Sequence, residues 1–515
     1  MFIFIQVLKE ILKLPSEINF TGLGECPMWS NLNFTHLGFG EVVLLLFLIT
    51  SVAIAGIVLF EKRSPEKTAA WILALVLLPV FGLVFYLIFG QEYRKTKMFS
   101  RRGLKNLGRF RILASRQLRK LQKKELSLPE AAKEKENIVR LLMNNSHSLL
   151  TTGNRLKILN NGYKTVNTIF EALEKAVHHI HLEYYIVEDD EVGNRLKDLL
   201  IRKSREGVEV RMIVDDVGSW GLSKRFLREL REAGVDIQSF MEVRFPRLTP
   251  RVNYRNHRKI TIVDGEIGFT GGINFADRYI KGIEKIGPWR DTHLQIEGNA
   301  VACLQVIFAA DWYFVKKENL KGAGYFKTQP DLKGAAMQIS ASGPDSDWDS
   351  IGQAFFAAIT GARKDVFIVT PYLMPPPPIL QALKITALGG VNVQILMPEF
   401  SDALIPKWCS FSFVEELLEA GVRIFFYQKG FIHSKLLMVD GIFCSIGTTN
   451  LDFRSLETNF EINTFIYDAV FTRQLTGYYH ADLLNSREIV AAEWKKRSGL
   501  SHFKESLAHF VSPMY

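Results

Sequence analysis

The chain has 515 residues, 47% of them apolar and 23% charged, which is enough for two or three domains with sizeable cores. This balance excludes a disordered chain and a transporter with many membrane spans. The net charge of +10 indicates an anionic partner, either nucleic acid or a membrane surface. The cysteines lie far apart without metal-type spacing, which predicts unpaired thiols in a reducing compartment.

The first predicted elements are two membrane-spanning helices. Residues 42–60 and 69–90 contain no charged side chain, and each stretch is close to the ~20 residues that cross a ~30 Å hydrocarbon core. Their short connection predicts a hairpin with both chain ends on one side. The alternatives are a signal peptide for the first stretch and a buried core helix for the second. Residues 1–41 form a separate N-terminal segment that is compatible with a short interfacial helix.

A strongly basic stretch follows the second span. Thirteen Lys or Arg residues face Glu92 alone between Gln91 and Lys124, a local charge of +12 that exceeds the net charge of the whole chain. The positive-inside rule then places the C-terminal bulk in the cytoplasm. Basic residues at a membrane exit favour anionic headgroups, although DNA binding and a solvated helical face remain alternatives. We assign residues 91–147 to a basic juxtamembrane region.

An α/β unit then occurs twice. The first copy has predicted strands at 179–187 and 208–214 and helices at 192–206 and 225–233, and the second has strands at 365–372 and 393–397 and helices at 379–387 and 414–420. Because the order recurs, we predict two tandem domains of an α/β fold, residues 148–328 and 335–515.

Both copies end on the pattern H-x-K-x4-D-x6-G-x-x-N. One match can arise by chance, whereas two full matches at equivalent places are a strong signal. The residues that carry chemistry in this pattern are His257, Lys259, Asp264 and Asn274 in the first copy, and His433, Lys435, Asp440 and Asn450 in the second.

The spacing of the motif suits phosphodiester chemistry without a metal. A His and a Lys two residues apart on a strand point to the same face. Asp264 and Asp440 are counted with the catalytic set, although the Asp-Gly pairs predict turns into a following strand. If the halves pack about a pseudo-twofold axis, a phosphate would meet two ammonium groups and the amides of Asn274 and Asn450, with an imidazole on each side. We expect no metal and no cofactor.

Acidic residues after each motif are candidates to orient the histidines. Asp291 lies in WRDTH and Glu461 in NFEIN, both in strand-like runs, and surface salt bridges are the alternative role. Three tyrosines that follow equivalent strands, Tyr184, Tyr185 and Tyr372, are placed to line the entrance, although core packing is the favoured reading.

The paired motifs resemble the HKD signatures of the phospholipase D superfamily, and further segments resemble its bacterial cardiolipin synthases. These segments are ILALVLLPVFGLVFYLIFG, GPWRDTHLQIEGNAVACLQVIFAADW, SGPDSDW, TPYLMPPP, NLDFRSLETNFEIN and the closing SPMY. The resemblance implies phosphatidyl transfer between two phosphatidylglycerol molecules through a phosphohistidine, in two phospholipase D-like domains behind a transmembrane hairpin. It also implies a bacterial inner membrane location, with anionic membrane and no nucleic acid as partner.

The resemblance assigns the nucleophile to the first motif. His257 would attack with Asp291 as its partner, and His433 would act as acid and base, although nothing within the sequence breaks the pseudosymmetry. The motif departs from many relatives at Thr448, where they carry Ser, and Gly272 stands at the equivalent place in the first half. Rival functions are a hydrolytic phospholipase D, an HKD nuclease and a membrane scaffold. The oligomeric state stays open.

Overall fold

The computed structural model describes residues 49–56, 58–59, 65–77, 82–83, 86, 105–243, 253–327, 329–330 and 332–514. The chain divides into two compact units, Met1–Gln91 and Glu92–Tyr515. The predicted N-terminal segment, 1–41, lies outside the described residues, as do large parts of both predicted spans. No helix in the described part is both long enough and apolar enough to cross a membrane.

The N-terminal unit is helical where it is described. Residues 49–56 are helical, and helix α1 spans Pro65–Leu77. Leu75 packs in a small apolar cluster with Val58 and Tyr86, and the rings of Trp71 and Tyr86 meet edge to face at 5.4 Å. The described segments of this unit therefore contact one another through apolar side chains.

The C-terminal unit alternates strands with helices. Its strands are β1 (Thr151–Leu159), β2 (His179–Tyr184), β3 (Glu209–Asp215), β4 (Asp236–Phe240), β5 (Ile260–Val263), β6 (Ile267–Gly271), β7 (Trp289–Arg290), β8 (His293–Glu297), β9 (Ala335–Ser342), β10 (Asp365–Val369), β11 (Leu373–Met374), β12 (Asn392–Pro398), β13 (Arg423–Tyr427), β14 (Phe431–Ile432), β15 (Leu436–Val439), β16 (Phe443–Gly447), β17 (Leu451–Asp452), β18 (Glu461–Tyr467) and β19 (Ser486–Glu488). Its helices are α2 (Lys105–Gln122), α3 (Glu130–Glu134), α4 (Glu136–Asn145), α5 (Gly162–Glu174), α6 (Glu191–Arg205), α7 (Lys224–Glu232), α8 (Arg278–Lys281), α9 (Ala300–Lys316), α10 (Ser350–Thr360), α11 (Pro377–Leu388), α12 (Leu404–Ser412), α13 (Val414–Glu419), α14 (Phe453–Glu457), α15 (Ala469–Leu483), α16 (Ala491–Lys495) and α17 (Gly499–Val511).

Most strands join one continuous sheet that contains the same arrangement twice. The first half runs β1-β8-β6-β5-β2-β3-β4, and the second runs β9-β18-β16-β15-β10-β12-β13 with β19 added at its edge. Strands β1 and β9 pair antiparallel in the middle, with Thr151 opposite Met337. Two equal halves joined through an antiparallel pair are related by an approximate twofold axis, as the repeated motif predicted.

Apolar side chains cover both faces of the sheet because successive residues of a strand point to opposite faces. One cluster lies on a single face of both halves and includes Ile262 and Met438. The other face carries a separate cluster in each half, which includes Val263 in the first and Val439 in the second. The predicted strands and helices of both copies are present, which confirms the predicted α/β pattern.

Candidate active site

Two tight hairpins place the motifs. In each half the chain turns at an Asp-Gly pair between two strands, β5 and β6 or β15 and β16. Asp264 and Asp440 both have φ near 54°, and the following glycines also have positive φ, the combination that a two-strand turn of this kind requires. The predicted turns are confirmed. The His and Lys of each motif lie just before β5 and β15 rather than within a strand, which corrects their expected placement.

The opposite half holds the backbone of each histidine. The amide of His257 donates to the carbonyl of Phe460 at 2.9 Å, and the amide of His433 donates to the carbonyl of Arg290 at 2.7 Å. Short parallel pairings extend these contacts, from Asn256 to Phe460 and between β14 and β7. The residue that holds each histidine backbone is therefore followed directly by a carboxylate, Glu461 after Phe460 and Asp291 after Arg290.

The carboxylates cross between the halves. Nδ1 of His257 lies 2.9 Å from Glu461 Oε1, and Nδ1 of His433 lies 2.7 Å from Asp291 Oδ2. The expectation that Asp291 partners His257 is therefore wrong, because Asp291 directly follows β7, which pairs with β14 just before the second motif. Both acidic residues are buried and contact a histidine, so neither is a surface salt bridge.

Each imidazole is held as one tautomer. An ionised carboxylate can only accept a hydrogen bond, so Nδ1 donates to it and Nε2 is the ring nitrogen left for the cavity. Lys435 Nζ also lies 2.8 Å from Nδ1 of His433, and it donates to the carbonyl of His433 instead. The pKa of His257 is lowered to about 4 and that of His433 to about 3, mainly by burial; the buried lysines contribute to the lowering and the carboxylates oppose it. Burial alone would raise the pKa of Asp291, but Lys435 and His433 hold it below its ordinary value. Both rings are therefore neutral near pH 7, as a nucleophile or a base must be.

The two lysines are buried beside the histidines. Nζ of Lys259 donates to the carbonyl of His257 at 2.8 Å, and Nζ of Lys435 donates to the carbonyl of His433. Burial, with a contribution from the charge of Lys435, lowers the pKa of Lys259 to about 7, and burial lowers that of Lys435 to about 8. Charges from both halves therefore act on one another, as expected of two motifs that converge.

A cavity of about 750 Å³ opens between the halves. Both histidines and both motif asparagines line it, together with Tyr185 and Tyr372, whereas Tyr184 is buried in the core. Asn274 donates from Nδ2 to the Tyr279 hydroxyl at 2.6 Å, and the Oδ1 of Asn450 has no hydrogen-bond partner in the part of the chain described. The asparagines and two of the three tyrosines thus face a common space.

Asp264 and Asp440 lie away from this cavity. Asp264 accepts hydrogen bonds from the amides of residues 177, 178 and 179, and Asp440 accepts from the amides of residues 363, 364 and 365. Asp440 also forms an ion pair with Lys135 at 2.7 Å. Neither carboxylate lines the cavity, and the contacts of both agree with the alternative that they hold the turns. Their carboxylates tie each hairpin to the start of a neighbouring strand.

One supporting residue escaped the motif analysis. Arg258 is completely buried, forms an ion pair with Asp311 and donates from Nε to the carbonyl of Glu461 at 3.2 Å. It therefore links the backbone of the first motif to the residue that orients His257. The only signal in the sequence was its place between the His and the Lys, which a surface arginine would fit equally well.

The halves differ beside the carboxylates. The Thr448 hydroxyl donates to Glu461, whereas Gly272 occupies the equivalent place in the first half. A Cβ at Gly272 would lie 2.1 Å from Asp291 Oδ1, so a side chain there would displace the carboxylate. The carboxylate that orients His257 therefore has a hydroxyl donor that a glycine at the equivalent position of the first half cannot supply.

A duplicated α/β unit with both histidines on one cavity defines a two-domain protein of the phospholipase D class. Two family models match the chain. The model described as cardiolipin synthase, PLD-like domain matches residues 169–312 and 355–483, and the phospholipase D-nuclease N-terminal model matches residues 44–91.

Curated relatives cover almost the whole chain. A cardiolipin synthase of Alkalihalophilus pseudofirmus is 42% identical over 91% of this chain and 93% of its own length. The major cardiolipin synthase ClsA of Bacillus subtilis is 36% identical over 93% of this chain and 100% of its own length. A solved phosphatidylserine synthase of Haemophilus influenzae shares the fold with a TM-score of 0.56 at 14% identity, covering 75% of this chain and 100% of that one. The chain belongs to the cardiolipin synthase family.

Proposed function

We propose that the chain transfers a phosphatidyl group from one phosphatidylglycerol to another, giving cardiolipin and glycerol. The single observation that carries the proposal is the pair of imidazoles on one cavity, each oriented by a carboxylate of the opposite half. The family membership supports the same reaction. Hydrolytic phospholipase D and HKD nuclease activities remain the alternatives, since the same groups would serve them.

The first step forms a phosphohistidine. Nε2 of His257 attacks the phosphorus of the donor lipid, and the bond from phosphorus to the oxygen of the headgroup glycerol breaks. Protonated His433 gives its proton to that oxygen, so that glycerol leaves. The anionic phosphodiester favours this protonation because it places a negative charge beside a ring whose pKa burial has lowered to about 3. Lys259 and Lys435 stabilise the charge on the non-bridging oxygens.

The second step releases the product. A primary hydroxyl of the second phosphatidylglycerol attacks the phosphorus, His433 takes its proton, and the bond from phosphorus to nitrogen breaks. His257 returns to its neutral form with Nδ1 still hydrogen-bonded to Glu461. Water is the competing acceptor, so the lipid hydroxyl needs a high effective concentration at the cavity.

The acceptor brings a second phosphate that also needs a cation. Arg255, Arg278 and Arg454 line the cavity. Arg255 pairs with Asp215 at 3.3 Å and Arg278 with Glu188 at 2.9 Å, whereas Arg454 contacts the carbonyl of Asn253 at 3.4 Å and forms no ion pair within the described residues. We assign Arg454 to the phosphate that does not react, because its charge is the least neutralised of the three.

The membrane placement belongs to the same proposal. Residues 42–60 and 69–90 would form the transmembrane hairpin, residues 91–147 would bind anionic headgroups, and the two catalytic domains, 148–328 and 335–515, would lie in the cytoplasm of a bacterial cell. The match of residues 44–91 to a phospholipase D N-terminal model supports a family-specific role for this segment. The proposed function involves no nucleic-acid partner.

Product analysis tests the reaction. Purified full-length protein in phosphatidylglycerol vesicles, without any nucleotide-activated lipid, should yield cardiolipin and free glycerol in equal amounts and little phosphatidic acid. Excess glycerol should drive the reaction backwards, since one phosphodiester is exchanged for another. Phosphatidic acid as main product would establish the hydrolase, and cleavage of DNA with the lipid untouched would establish the nuclease.

The lysine pKa values predict an alkaline limit of activity. A lysine carries its charge only below its pKa, so kcat/KM should fall as the pH rises through about 7 to 8, where Lys259 and Lys435 lose their protons in the free enzyme. On the acid side, His257 stays neutral down to a pH of about 4. A pH profile of kcat/KM checks this. Lys259→Arg is the control. Because a guanidinium stays charged, the fall in kcat/KM that Lys259 causes should move to higher pH. A profile that is flat from pH 6 to 10 contradicts the assignment.

A further inference from the structure

The last helix, α17, exposes a row of large apolar side chains. Leu500, Phe503, Leu507 and Phe510 are spaced three or four residues apart, so they lie on one side of the helix. Their exposed fractions range from 62% for Leu507 to 84% for Phe510. A helix normally buries such a row against its own protein. We call these four residues the apolar row.

Another side of α17 already packs on the protein. Glu505 and Ala508 are buried, Cys409 Sγ in α12 lies 3.2 Å from the carbonyl of Ala508, and the rings of Phe413 and His509 are 4.7 Å apart. The helix is therefore docked along α12. The apolar row is a second face that the described part of the C-terminal unit leaves uncovered.

This surface continues to the mouth of the active-site cavity. Asp402 and Pro406 line the cavity, and Leu404 and Ile405, which stand between them in sequence, are 67% and 42% exposed. The segment after α17, Ser512–Met514, contacts α14, which contributes Arg454 to the cavity wall. Exposed apolar side chains thus occur both on α17 and beside the rim of the cavity.

Positive charge flanks the same surface. Lys504 Nζ lies 5.4 Å from the Trp408 ring and Lys407 Nζ lies 5.3 Å from the Phe411 ring, and neither lysine forms an ion pair within the described residues. Lysines beside an apolar helical face can keep their stems against apolar atoms while the ammonium reaches phosphates. This combination is typical of helices that lie in a membrane interface rather than of protein contacts, where lysine is depleted.

We propose that the apolar row, with Leu404 and Ile405, docks the catalytic unit on an anionic bilayer. Insertion of these side chains brings the cavity rim to the headgroup layer, and Lys407 and Lys504 contact lipid phosphates. The inference rests on the proposed function in one respect, that the substrates of the cavity are bilayer lipids. The docking places the lipid hydroxyl at the cavity in preference to water.

Fluorescence quenching by lipids tests the docking without using turnover. Full-length Phe503→Cys carries an environment-sensitive fluorophore in phosphatidylglycerol vesicles that contain lipids with a nitroxide on the acyl chain. Leu484→Cys is the matched control, because Leu484 is 89% exposed but lies just after α15, outside the proposed surface. The unsubstituted protein gives the background labelling of native cysteines. We expect quenching at position 503 and none at 484. Equal quenching at both positions overturns the proposal. So does a change in the fluorescence at position 503 that depends on the protein concentration and not on the nitroxide lipid, because it indicates contact between protein molecules.

Turnover of two substrates separates this inference from the proposed function. Phe503→Asp combined with Phe510→Asp should lower cardiolipin formation from vesicles about tenfold, since charged side chains oppose insertion. The same variant should turn over short-chain, monomeric phosphatidylglycerol at the unaltered rate, and Leu484→Asp should behave like the wild type on both substrates. An unchanged rate on vesicles refutes the docking. Wild-type protein that makes cardiolipin from neither substrate refutes the proposed function. The quenching experiment, which does not use turnover, then still decides whether the surface docks on the membrane.

Discussion

Removal of either histidine is expected to abolish cardiolipin formation. His257→Ala and His433→Ala should each lower kcat by at least about four orders of magnitude, because each imidazole supplies one half of a nucleophile and proton cycle. Both rings line the cavity and neither backbone contact depends on the side chain, so the variants should fold. Turnover of phosphatidylglycerol with thermal unfolding as the control measures both effects.

Acid-quenched labelling distinguishes the two roles. With phosphatidylglycerol radiolabelled in its acyl chains, the protein-bound label should persist on His433→Ala and be absent from His257→Ala, since a nucleophile is needed to form the covalent bond. The reverse pattern would make His433 the nucleophile and exchange the two roles without altering the site. Activity left unchanged by either substitution would refute a phosphohistidine.

The crossed carboxylates predict a second large loss. Asp291→Asn and Glu461→Gln should each lower kcat on the order of a thousandfold, because an amide can hold the wrong tautomer of its histidine. Asp291 contacts His433 and Glu461 contacts His257. In the labelling experiment, Asp291→Asn should therefore resemble His433→Ala, and Glu461→Gln should resemble His257→Ala.

Asp264→Asn is the matched control for these substitutions. It removes a motif carboxylate that binds three backbone amides and does not line the cavity. We expect a lower melting temperature with kcat per folded molecule unchanged. An Asp291→Asn protein that loses its label as His257→Ala does would instead support pairing within one half.

The sequence was sufficient for features that neighbouring residues determine. Short apolar runs predict strands that are buried on both faces, and every residue of β5 and β15 is buried. The Asp-Gly pairs predict tight turns because positive φ is demanded there, and both turns occur at Asp264 and Asp440. The repeat of these local signals also predicted two equivalent halves.

Contacts between the halves were beyond such reasoning. The position of Asp291 after the first motif suggested a partner within its own half, but strand β7 pairs with β14 and carries this carboxylate to His433. The same holds for Arg258, which donates to the carbonyl of Glu461 in the other half. The spacing of residues within one half does not predict contacts with the other half.

Residue types, their spacing and the repeat thus predicted the chemistry of the site, since a His, a Lys and an Asn on each strand-turn unit are local properties of the chain. The assignment of each carboxylate to its histidine depended on how the two halves pack about the approximate twofold axis. The depressed lysine and histidine pKa values have the same origin, because burial between the halves is what removes water from these groups.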